Sequence, residues 1–143
     1  MEFDTNFKLS KKEFNRGLRF PKEMSKDLAE LVGVHFGDGC LQIKPARYYR
    51  VYYSFNIRDK TYFHYVKDMF YRIFNINMST EERIDKNTIS LYFHSKSLST
   101  FFNKVLEIPF GPKKKLLIPD YIKSDEEYLR RFLRGFFDTD GCI

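Results

Sequence analysis

The sequence predicts an α+β fold in which one antiparallel sheet packs against helices. Three segments alternate apolar and polar residues, a fourth near INMSTEERI is poorly patterned, and segments of helical periodicity separate and follow these two pairs. Alternation with period two is typical of strands that have one buried and one polar face, as in antiparallel sheets. The chain has 143 residues, of which 43% are apolar, with sixteen Phe and ten Tyr, so it can bury a core as one domain.

The first helix follows residues 1–24, which are polar and basic and which we interpret as an N-terminal arm. Ser25 is a favourable N-cap, and Gly37 and Gly39 are expected to end the helix, because glycine is common where helices stop. Between these positions, apolar residues recur at the three- and four-residue spacing of a helix, at Leu28, Leu31, Val32, Val34 and Phe36.

Two pairs of strands enclose the second helix. The first pair lies in CLQIK and YRVYYSFNIRD, joined by a turn at residues 45–46. The second pair lies in INMSTEERI and TISLYFH, joined by a turn at residues 85–87. Asp59 is expected to cap the helix between the pairs, KTYFHYVKDMFYRIF, which has a broad apolar stripe.

Two further helices complete the chain. SLSTFFNKVLEI is the third helix, and residues 109–119 are a loop that contains three lysines. Ser124 and Glu127 have the spacing of a capping box that opens the final helix. The predicted organisation is an arm at 1–24, an αββαββα domain with its following loop at 25–123, and a separate helix at 124–143.

Charge and composition restrict the class of protein. The 25 Lys and Arg exceed the 19 Asp and Glu, and the net charge of +6 favours polyanionic partners, nucleic acid first. A basic protein with no such partner is the alternative. No apolar run is long enough to span a membrane, and the N-terminus does not resemble a signal peptide. With only two distant cysteines, we expect a protein of the prokaryotic cytoplasm or an organellar matrix, neither secreted nor membrane-bound.

The final helix repeats the end of the first. LVGVHFGDGC begins at Leu31 and LRGFFDTDGC at Leu133, an offset of 102 residues, and both segments carry Leu, Gly, Asp, Gly and Cys at matching places. A repeat of long period predicts two equivalent units related by a pseudo-twofold axis. Small residues at a four-residue spacing let helix backbones approach closely. The predicted helix interface consists of Gly33, Gly37, Gly135 and Thr139.

Each of the two paired helices carries an aspartate at its end, Asp38 in the first and Asp140 in the second. A carboxylate at a helix C-terminus costs about 0.3–1 kcal/mol, because the helix dipole is already negative there. Two carboxylates held close together also repel each other. A divalent cation would reverse both effects, and hard oxygen ligands suit Mg²⁺. The alternative is that each Asp-Gly pair only forms a helix-ending turn.

The two segments resemble the nonapeptide of the LAGLIDADG homing endonucleases. LVGVHFGDG matches at Leu31, Gly33, Asp38 and Gly39, although Phe36 replaces an acidic residue of the family motif. LRGFFDTDG matches at Leu133, Gly135, Asp138, Asp140 and Gly141. The order of elements is similar to the αββαββα repeat of the family, in which the antiparallel sheet forms a saddle, and GPKKKLLIPDYI resembles its lysine-containing stretch. The resemblance begins near Ser25, and the second repeat stops after its first helix, which suggests a truncated or fragment form.

The resemblance implies a site-specific double-strand DNA endonuclease that hydrolyses phosphodiesters with Mg²⁺, or with another divalent cation such as Mn²⁺, and that serves intron or intein mobility. The implied metal ligands are Asp38 and Asp140, with backbone carbonyls of Gly37 and Thr139.

Three further residues are candidates for the chemistry. Lys115, or else Lys113, would favour hydroxide and the pentavalent oxyanion, and the alternative is a lysine run that positions phosphate or is simply solvated. Gln42 lies just beyond Asp38 and would orient a water or contact a base.

The polar face of the strands is the predicted DNA surface. A two-stranded β-ribbon fits the major groove, where Arg and Gln read base edges, while basic residues at turns bind phosphate. This face has no Glu or Asp before the turn, and an ordinary solvated sheet face is the alternative. The predicted contacts are Gln42, Lys44, Arg50, Tyr52, Ser54, Asn56, Arg58, Ser90 and Tyr92 on the strands, with Arg47, Arg83 and Lys86 at turns.

Two other functions remain open. The same scaffold would serve as a DNA- or RNA-binding module that does not cleave, such as a transcription regulator or an intron maturase. A half-domain that pairs with a copy of itself, or with a complementing second half, is the other alternative.

Overall fold

The computed structural model describes residues 2–4, 7–44, 48–111 and 117–140, and within these ranges the side chains of Lys44, Tyr48, Thr139 and Asp140 are outside the description. A four-stranded antiparallel sheet carries helices on one face, so the predicted α+β fold is confirmed. None of the helices in the described part of the chain is both long and apolar enough to cross a membrane.

The sheet contains four strands in the spatial order β1-β2-β4-β3. Antiparallel pairing places Leu41 opposite Val51 and Val51 opposite Phe93. The second strand pair is joined by a single 3₁₀ turn, Ile84–Lys86. The strands are β1 Gly39–Lys44, β2 Tyr48–Asn56, β3 Ser79–Arg83 and β4 Thr88–His94.

In the part of the chain that the structure describes, six α-helices accompany the sheet. Four match segments that the sequence predicts, although α4 continues into a π-helical turn at Phe101–Val105. The helices are α1 Lys11–Asn15, α2 Lys26–Asp38, α3 Lys60–Phe74, α4 Lys96–Thr100, α5 Asp120–Lys123 and α6 Glu126–Asp140.

The core lies between the helices and one face of the sheet. Alternate residues of β2 and β4 face it, and these side chains are less than 8% exposed. Burying such a side chain contributes about 1.5–3 kcal/mol. Aromatic rings from α3 and from the π-helical turn Phe101–Val105 pack above them. The buried strand residues are Val51, Tyr53, Phe55, Ile89, Leu91 and Phe93.

The N-terminal arm contains a helix that we did not predict. α1 begins with a capping box, in which the Glu13 N–H donates to Ser10 Oγ and the Ser10 N–H donates to Glu13 Oε1. Glu13 is buried and also accepts hydrogen bonds from Ser95 and Ser97 at the start of α4. Glu13 therefore connects the N-terminal arm to the segment where β4 ends and α4 begins.

Several predicted helix ends were wrong. α6 begins at Glu126 because Asp125 caps it, accepting from the N–H groups of Glu127 and Tyr128, whereas Ser124 ends the unpredicted helix α5. Asp59 occupies the N-cap position of α3, but its side chain makes no capping hydrogen bond. α2 continues through Gly37 to Asp38, and Gly39 is its C-cap, so the predicted end at Gly39 is confirmed.

Candidate functional site

The helices α2 and α6 cross in backbone contact at two glycines. A Cβ atom added to Gly33 would lie 2.0 Å from the carbonyl oxygen of Phe132, and one added to Gly135 would lie 2.3 Å from the carbonyl oxygen of Glu30. Both distances are far inside van der Waals contact. Only glycine therefore fits at either position.

The two helices run parallel, and the glycines at which they cross are related by the 102-residue offset found in the sequence. Near their N-termini, Lys26 Nζ lies 3.7 Å from Glu127 Oε2, and the Tyr128 hydroxyl donates to the Met24 carbonyl at 3.3 Å. At the crossing, the ring of Phe132, in the middle of α6, meets the ring of Phe36 of α2 edge to face at 5.2 Å. The helices therefore end on the same side of the molecule.

Asp38 and Asp140 occupy equivalent ends of this helix pair. Asp38 is the last residue of α2 and is partly buried, and Asp140 is the last residue of α6, although its side chain lies outside the description. Each aspartate follows its crossing glycine by five residues, which is about 7.5 Å of helix rise. The two aspartates therefore lie the same number of residues beyond the glycine crossing, on the same side of the molecule.

The residues at these helix ends fit a divalent cation in kind. Carboxylate and carbonyl oxygens are the donors that Mg²⁺ and Mn²⁺ prefer, and the glycine crossing holds the two helix backbones close. Within the described ranges, no group of three His, Cys, Asp or Glu residues has the arrangement of a metal site. The side chains of Asp140 and Thr139 are outside the description, so the cation set predicted from the sequence remains a prediction.

Gly39, the glycine after Asp38, packs against a buried polar pair. A Cβ at Gly39 would lie 2.7 Å from the rings of both His35 and Tyr53. His35 is fully buried, and its Nδ1 lies 2.5 Å from the Tyr53 hydroxyl. Burial, and secondarily Cys40, raises the pKa of Tyr53 well above its ordinary value, so the hydroxyl stays protonated. The motif glycine therefore provides space for this packing, and β1 starts immediately after the helix.

An ionic cluster fixes the opposite end of the helix pair. Arg131 Nε donates to Glu30 Oε1 at 2.6 Å, and its Nη2 donates to Asp27 Oδ1 at 2.6 Å. Arg72 of α3 contacts Asp27 and Asp68. Burial alone would lower the pKa of Arg131, but the hydrogen bonds to Glu30 and Asp27 raise it above its ordinary value. Glu30 is fully buried. Asp27 of α2 contacts both Arg131 of α6 and Arg72 of α3, so the cluster couples three helices.

The predicted DNA surface forms four cross-strand rows on the polar face of the sheet. Directly opposite residues of an antiparallel pair share a face. From one end of the sheet to the other, the rows are Gln42, Arg50 and His94; Cys40, Tyr52, Tyr92 and Ser79; Ser54, Ser90 and Glu81; and Asn56, Thr88 and Arg83.

Arg50 is a cation of this surface and lies in the same row as Gln42 and His94. Its Nε donates to Gln42 Oε1 at 2.7 Å, and its guanidinium lies 4.5 Å from the ring centre of Tyr52 and 6.0 Å from that of Tyr92. Gln42 therefore holds Arg50 in place. These four predicted residues form one cluster.

Three predictions about this surface were wrong. Ser90 is 3% exposed, because the Tyr52 hydroxyl covers it at a hydrogen-bond distance of 2.9 Å. Arg58 lies in the 3₁₀ turn Ile57–Asp59 rather than on a strand, because β2 stops at Asn56. Glu81 shares the polar face, so the face does contain an acidic residue.

The remaining predicted residues have varied positions. Ser54 is half-buried and Asn56 is exposed, with its side chain accepting from the Arg58 N–H. Arg83, predicted at a turn, is the last residue of β3 and lies 3.6 Å from Asp85, and Lys86 is exposed in the following turn. Outside the described residues lie Arg47, Lys113, Lys115 and Gly141, and of Lys44 only the backbone is described.

Sequence reasoning missed two residues of this region. His94 extends the polar face by pairing opposite Arg50, and its position at the end of the alternating segment TISLYFH was a usable signal. Glu13 was hidden in a segment interpreted as an arm, although the spacing of Ser10 and Glu13 is that of a capping box. The partners of Glu30 in the ionic cluster had no local signal.

Comparisons with known proteins find a relative in sequence and similar solved structures. No family model matches the chain. An uncharacterised protein of Methanocaldococcus jannaschii is 28% identical over 161 aligned positions, which cover 100% of this chain and 53% of that protein. The chain thus spans about half the length of this curated relative.

Among the solved structures that match, one has a low level of similarity. It is a crystal structure of a doubly substituted I-DmoI in complex with its target DNA, nicked in one strand, in the presence of manganese. It has 20% identity and a TM-score of 0.47, over 80% of this chain and 60% of that chain. A likeness at this level assigns no activity to the present chain.

Proposed function

We propose that this chain belongs to a site-specific double-strand DNA endonuclease, to which it supplies one DNA-binding sheet and a pair of helices that hold a divalent cation. The observation that carries the proposal is the symmetric crossing at Gly33 and Gly135, with an aspartate five residues beyond each glycine. The resemblance of both segments to the LAGLIDADG nonapeptide supports the same function.

The sheet is the proposed binding surface. Arg50 presents guanidinium N–H groups beside two tyrosine rings and is oriented by Gln42. Arginine held in this way recognises guanine edges or phosphate oxygens. The net charge of +6 provides the long-range attraction for a polyanion.

The helix ends are the proposed reaction site. Asp38 and Asp140 would hold Mg²⁺ or Mn²⁺, with the backbone carbonyls of Gly37 and Thr139. When bound, such a cation supplies charge neutralisation at the scissile phosphate and lowers the pKa of a bound water. Lys115 or Lys113 enters the proposal from the sequence alone. Gln42 contacts Arg50, which supports a role in recognition rather than in orienting water.

A plasmid-nicking assay with Mg²⁺ or Mn²⁺ tests the reaction. We expect an Asp38→Asn, Asp140→Asn double variant to lose nicking while still binding duplex DNA. An Asp85→Asn, Asp120→Asn double variant removes the same charge from two exposed side chains and should cleave normally. Nicking that survives in the Asp38, Asp140 double variant would contradict the proposal.

A nucleic-acid-binding module without cleavage is the second candidate. The cluster of Arg50, Tyr52 and Tyr92 contains no metal ligand and offers stacking surfaces, which single-stranded RNA and DNA use. Binding to single strands in the presence of EDTA, stronger than binding to duplex and with no nicking in Mg²⁺, would favour this candidate over the endonuclease.

The far side of α6 supports a second unit in the active assembly. Leu31, Val34 and His35 of α2 are fully buried, but their equivalents in α6 are half-buried or exposed, with Phe137 40% exposed. By pseudo-symmetry, we propose that a second sheet-bearing unit covers Leu133, Phe136 and Phe137. Light scattering of the chain alone separates the sources: a dimer indicates a second copy, and a monomer indicates a complementing half.

A further inference from the structure

A cleft of about 460 Å³ lies beside the polar face of the sheet, outside the proposed reaction site. It is bounded by the α1 region on one side and by the end of β4 with the start of α4 on the other. Its basic side chains are Lys8, Lys12, Arg16 and Lys96, and Tyr49 and His94 complete its rim.

The two sides of the cleft are joined by the buried carboxylate of Glu13. One oxygen accepts from the Ser10 N–H and the Ser97 hydroxyl, and the other accepts from the Ser95 hydroxyl and the Ser97 N–H. Burial alone would raise the pKa of Glu13, but the hydrogen bonds of these serines lower it below its ordinary value. The carboxylate is therefore ionised, and its acceptor positions are occupied by serine groups.

The four basic side chains keep their charge available. None of these four side chains forms an ion pair with another residue within the described ranges, 2–4, 7–44, 48–111 and 117–140. Arg16 lies 3.8 Å above the ring centre of Phe93, and Lys96 lies 5.6 Å from that of Tyr49. Aromatic rings position these cations without neutralising them.

The pKa of His94, on the rim of the cleft, responds to burial and to the nearby positive charges. Burial, and then the charges of Arg50, Arg16 and Lys12, lower its pKa from the ordinary value of 6.5. The histidine is neutral at pH 7 as a result. Four cations then face the single carboxylate of Glu13, which leaves a formal excess of three positive charges. An anion with several oxygens, such as phosphate, suits this arrangement.

The cleft is continuous with the proposed DNA surface. His94 pairs opposite Arg50 in the sheet, and its ring lies 5.6 Å from that of Tyr92. A nucleic-acid strand on the sheet face reaches the cleft by passing His94. The side chains of Lys8, Lys12 and Lys96 are exposed at this point, which makes them accessible to a polymer backbone as well as to a small ion.

We infer that this cleft binds a backbone phosphate of the duplex that lies across the sheet, and that the α1 region thereby extends the DNA footprint beyond the strands. This inference rests on the proposed function, because it takes the polar face as the DNA surface. Phosphate contacts of this kind set register and affinity and carry no sequence information.

The salt dependence of duplex binding tests the inference. Each neutralised phosphate contributes about 0.9 to the slope of log affinity against log salt. We expect a Lys12→Gln, Lys96→Gln double variant, which weakens the contact with this one phosphate, to reduce the slope by about 0.9 for a labelled mixed-sequence duplex, measured by fluorescence anisotropy. A Lys12→Arg, Lys96→Arg double variant keeps the charge and should retain the slope.

A charge-matched control separates a local contact from a general effect. Lys22 and Lys104 are exposed and lie outside the cleft, so a Lys22→Gln, Lys104→Gln double variant has the same net charge as the cleft variant. Its slope should stay near that of the unsubstituted chain. Equal losses in both glutamine variants, or no loss in either, would overturn the inference.

Two arms of the experiment distinguish the other failures. An unsubstituted chain that binds no duplex contradicts the proposed function itself, whereas normal binding with an unchanged slope in the cleft variant contradicts only this inference. Calorimetric titration with inorganic phosphate tests the other source of the ligand. Phosphate binding that depends on Lys12 and Lys96, together with an unchanged duplex slope, would show a small-ion site and overturn the nucleic-acid assignment.

Discussion

Gly33 is related to α6 as Gly135 is related to α2. A Cβ on either glycine would collide with the carbonyl oxygen of the residue three positions before the other glycine, Phe132 in one direction and Glu30 in the other. In both directions the amide nitrogen one position after the partner glycine also lies 3.0 Å from the added Cβ. The two repeats are therefore equivalent in three dimensions and not only in sequence.

Substitution of Gly135 by alanine should destabilise the domain by about 3 kcal/mol or more, because neither backbone can yield without moving a whole helix. Urea unfolding followed by circular dichroism measures the change. Gly111→Ala is a suitable comparison, since a Cβ there meets nothing within 4 Å and only the positive φ of 78° opposes it. That strain costs about 1–2 kcal/mol. Equal stabilities for the two variants would contradict the close crossing.

Substitution of Arg131 by methionine should destabilise the fold by on the order of 2–4 kcal/mol, because the buried carboxylate of Glu30 then loses its hydrogen-bonded cation and keeps only Arg134 at 3.7 Å. Adding Glu30→Gln to this variant should recover part of the loss, which a double-mutant cycle would detect. Arg130→Met provides the matched control. Arg130 pairs with Glu126 on the surface, and its removal should cost less than about 1 kcal/mol.

Acid should weaken the attachment of the N-terminal region through Glu13. Its pKa in the folded state is lower than the ordinary value of 4.5, so the ionised form stabilises the fold. This stability is fully present above pH 4.5 and is lost as the pH falls through the lowered value. A Glu13→Gln variant should be less stable at pH 7 and should show a shallower loss in acid, measured by urea unfolding across this range. Glu126→Gln, at an exposed site, should behave like the unsubstituted chain.

Substitution of Arg50 by alanine should weaken duplex binding by about 1–3 kcal/mol, because Arg50 is the cation that Gln42 and the Tyr52 ring hold on the strand face. Gln42→Ala should have a smaller effect in the same direction, and the double variant should lose less than the sum. Anisotropy titrations give the three values. Additive losses would show that Gln42 does not act through Arg50. Arg130→Ala, far from the sheet face on α6, should leave binding near its original strength.

Much of the fold could be predicted from local pattern. Period-two alternation located β2 and β4, because one face of each strand is covered by helices and the other is not. The 102-residue repeat predicted the helix pair, since close backbone approach restricts the residue type at the crossing. Both signals exist because burial acts on residues that are regularly spaced along the chain.

Other features depended on competition between neighbouring residues or on distant contacts. Ser124 and Asp125 are both good caps, and only the structure shows that Asp125 accepts from the first turn of α6. Ser90 points to the polar face but is covered by Tyr52, which comes from a strand 38 residues away in sequence. Glu30 and Arg131 are 101 residues apart, so no local pattern could pair them.

The contact of Gly39 with the rings of His35 and Tyr53 has a consequence for evolution of the proposed enzyme. β1 begins at Gly39, directly after Asp38, so no linker separates them. Gly39 at this junction packs against the buried rings of His35 and Tyr53. In the proposed enzyme, the bases read by that strand and the phosphate nearest the aspartates would then be a constant number of nucleotides apart. Relatives with altered side chains on the strands would acquire new target sequences but would inherit the same cutting offset.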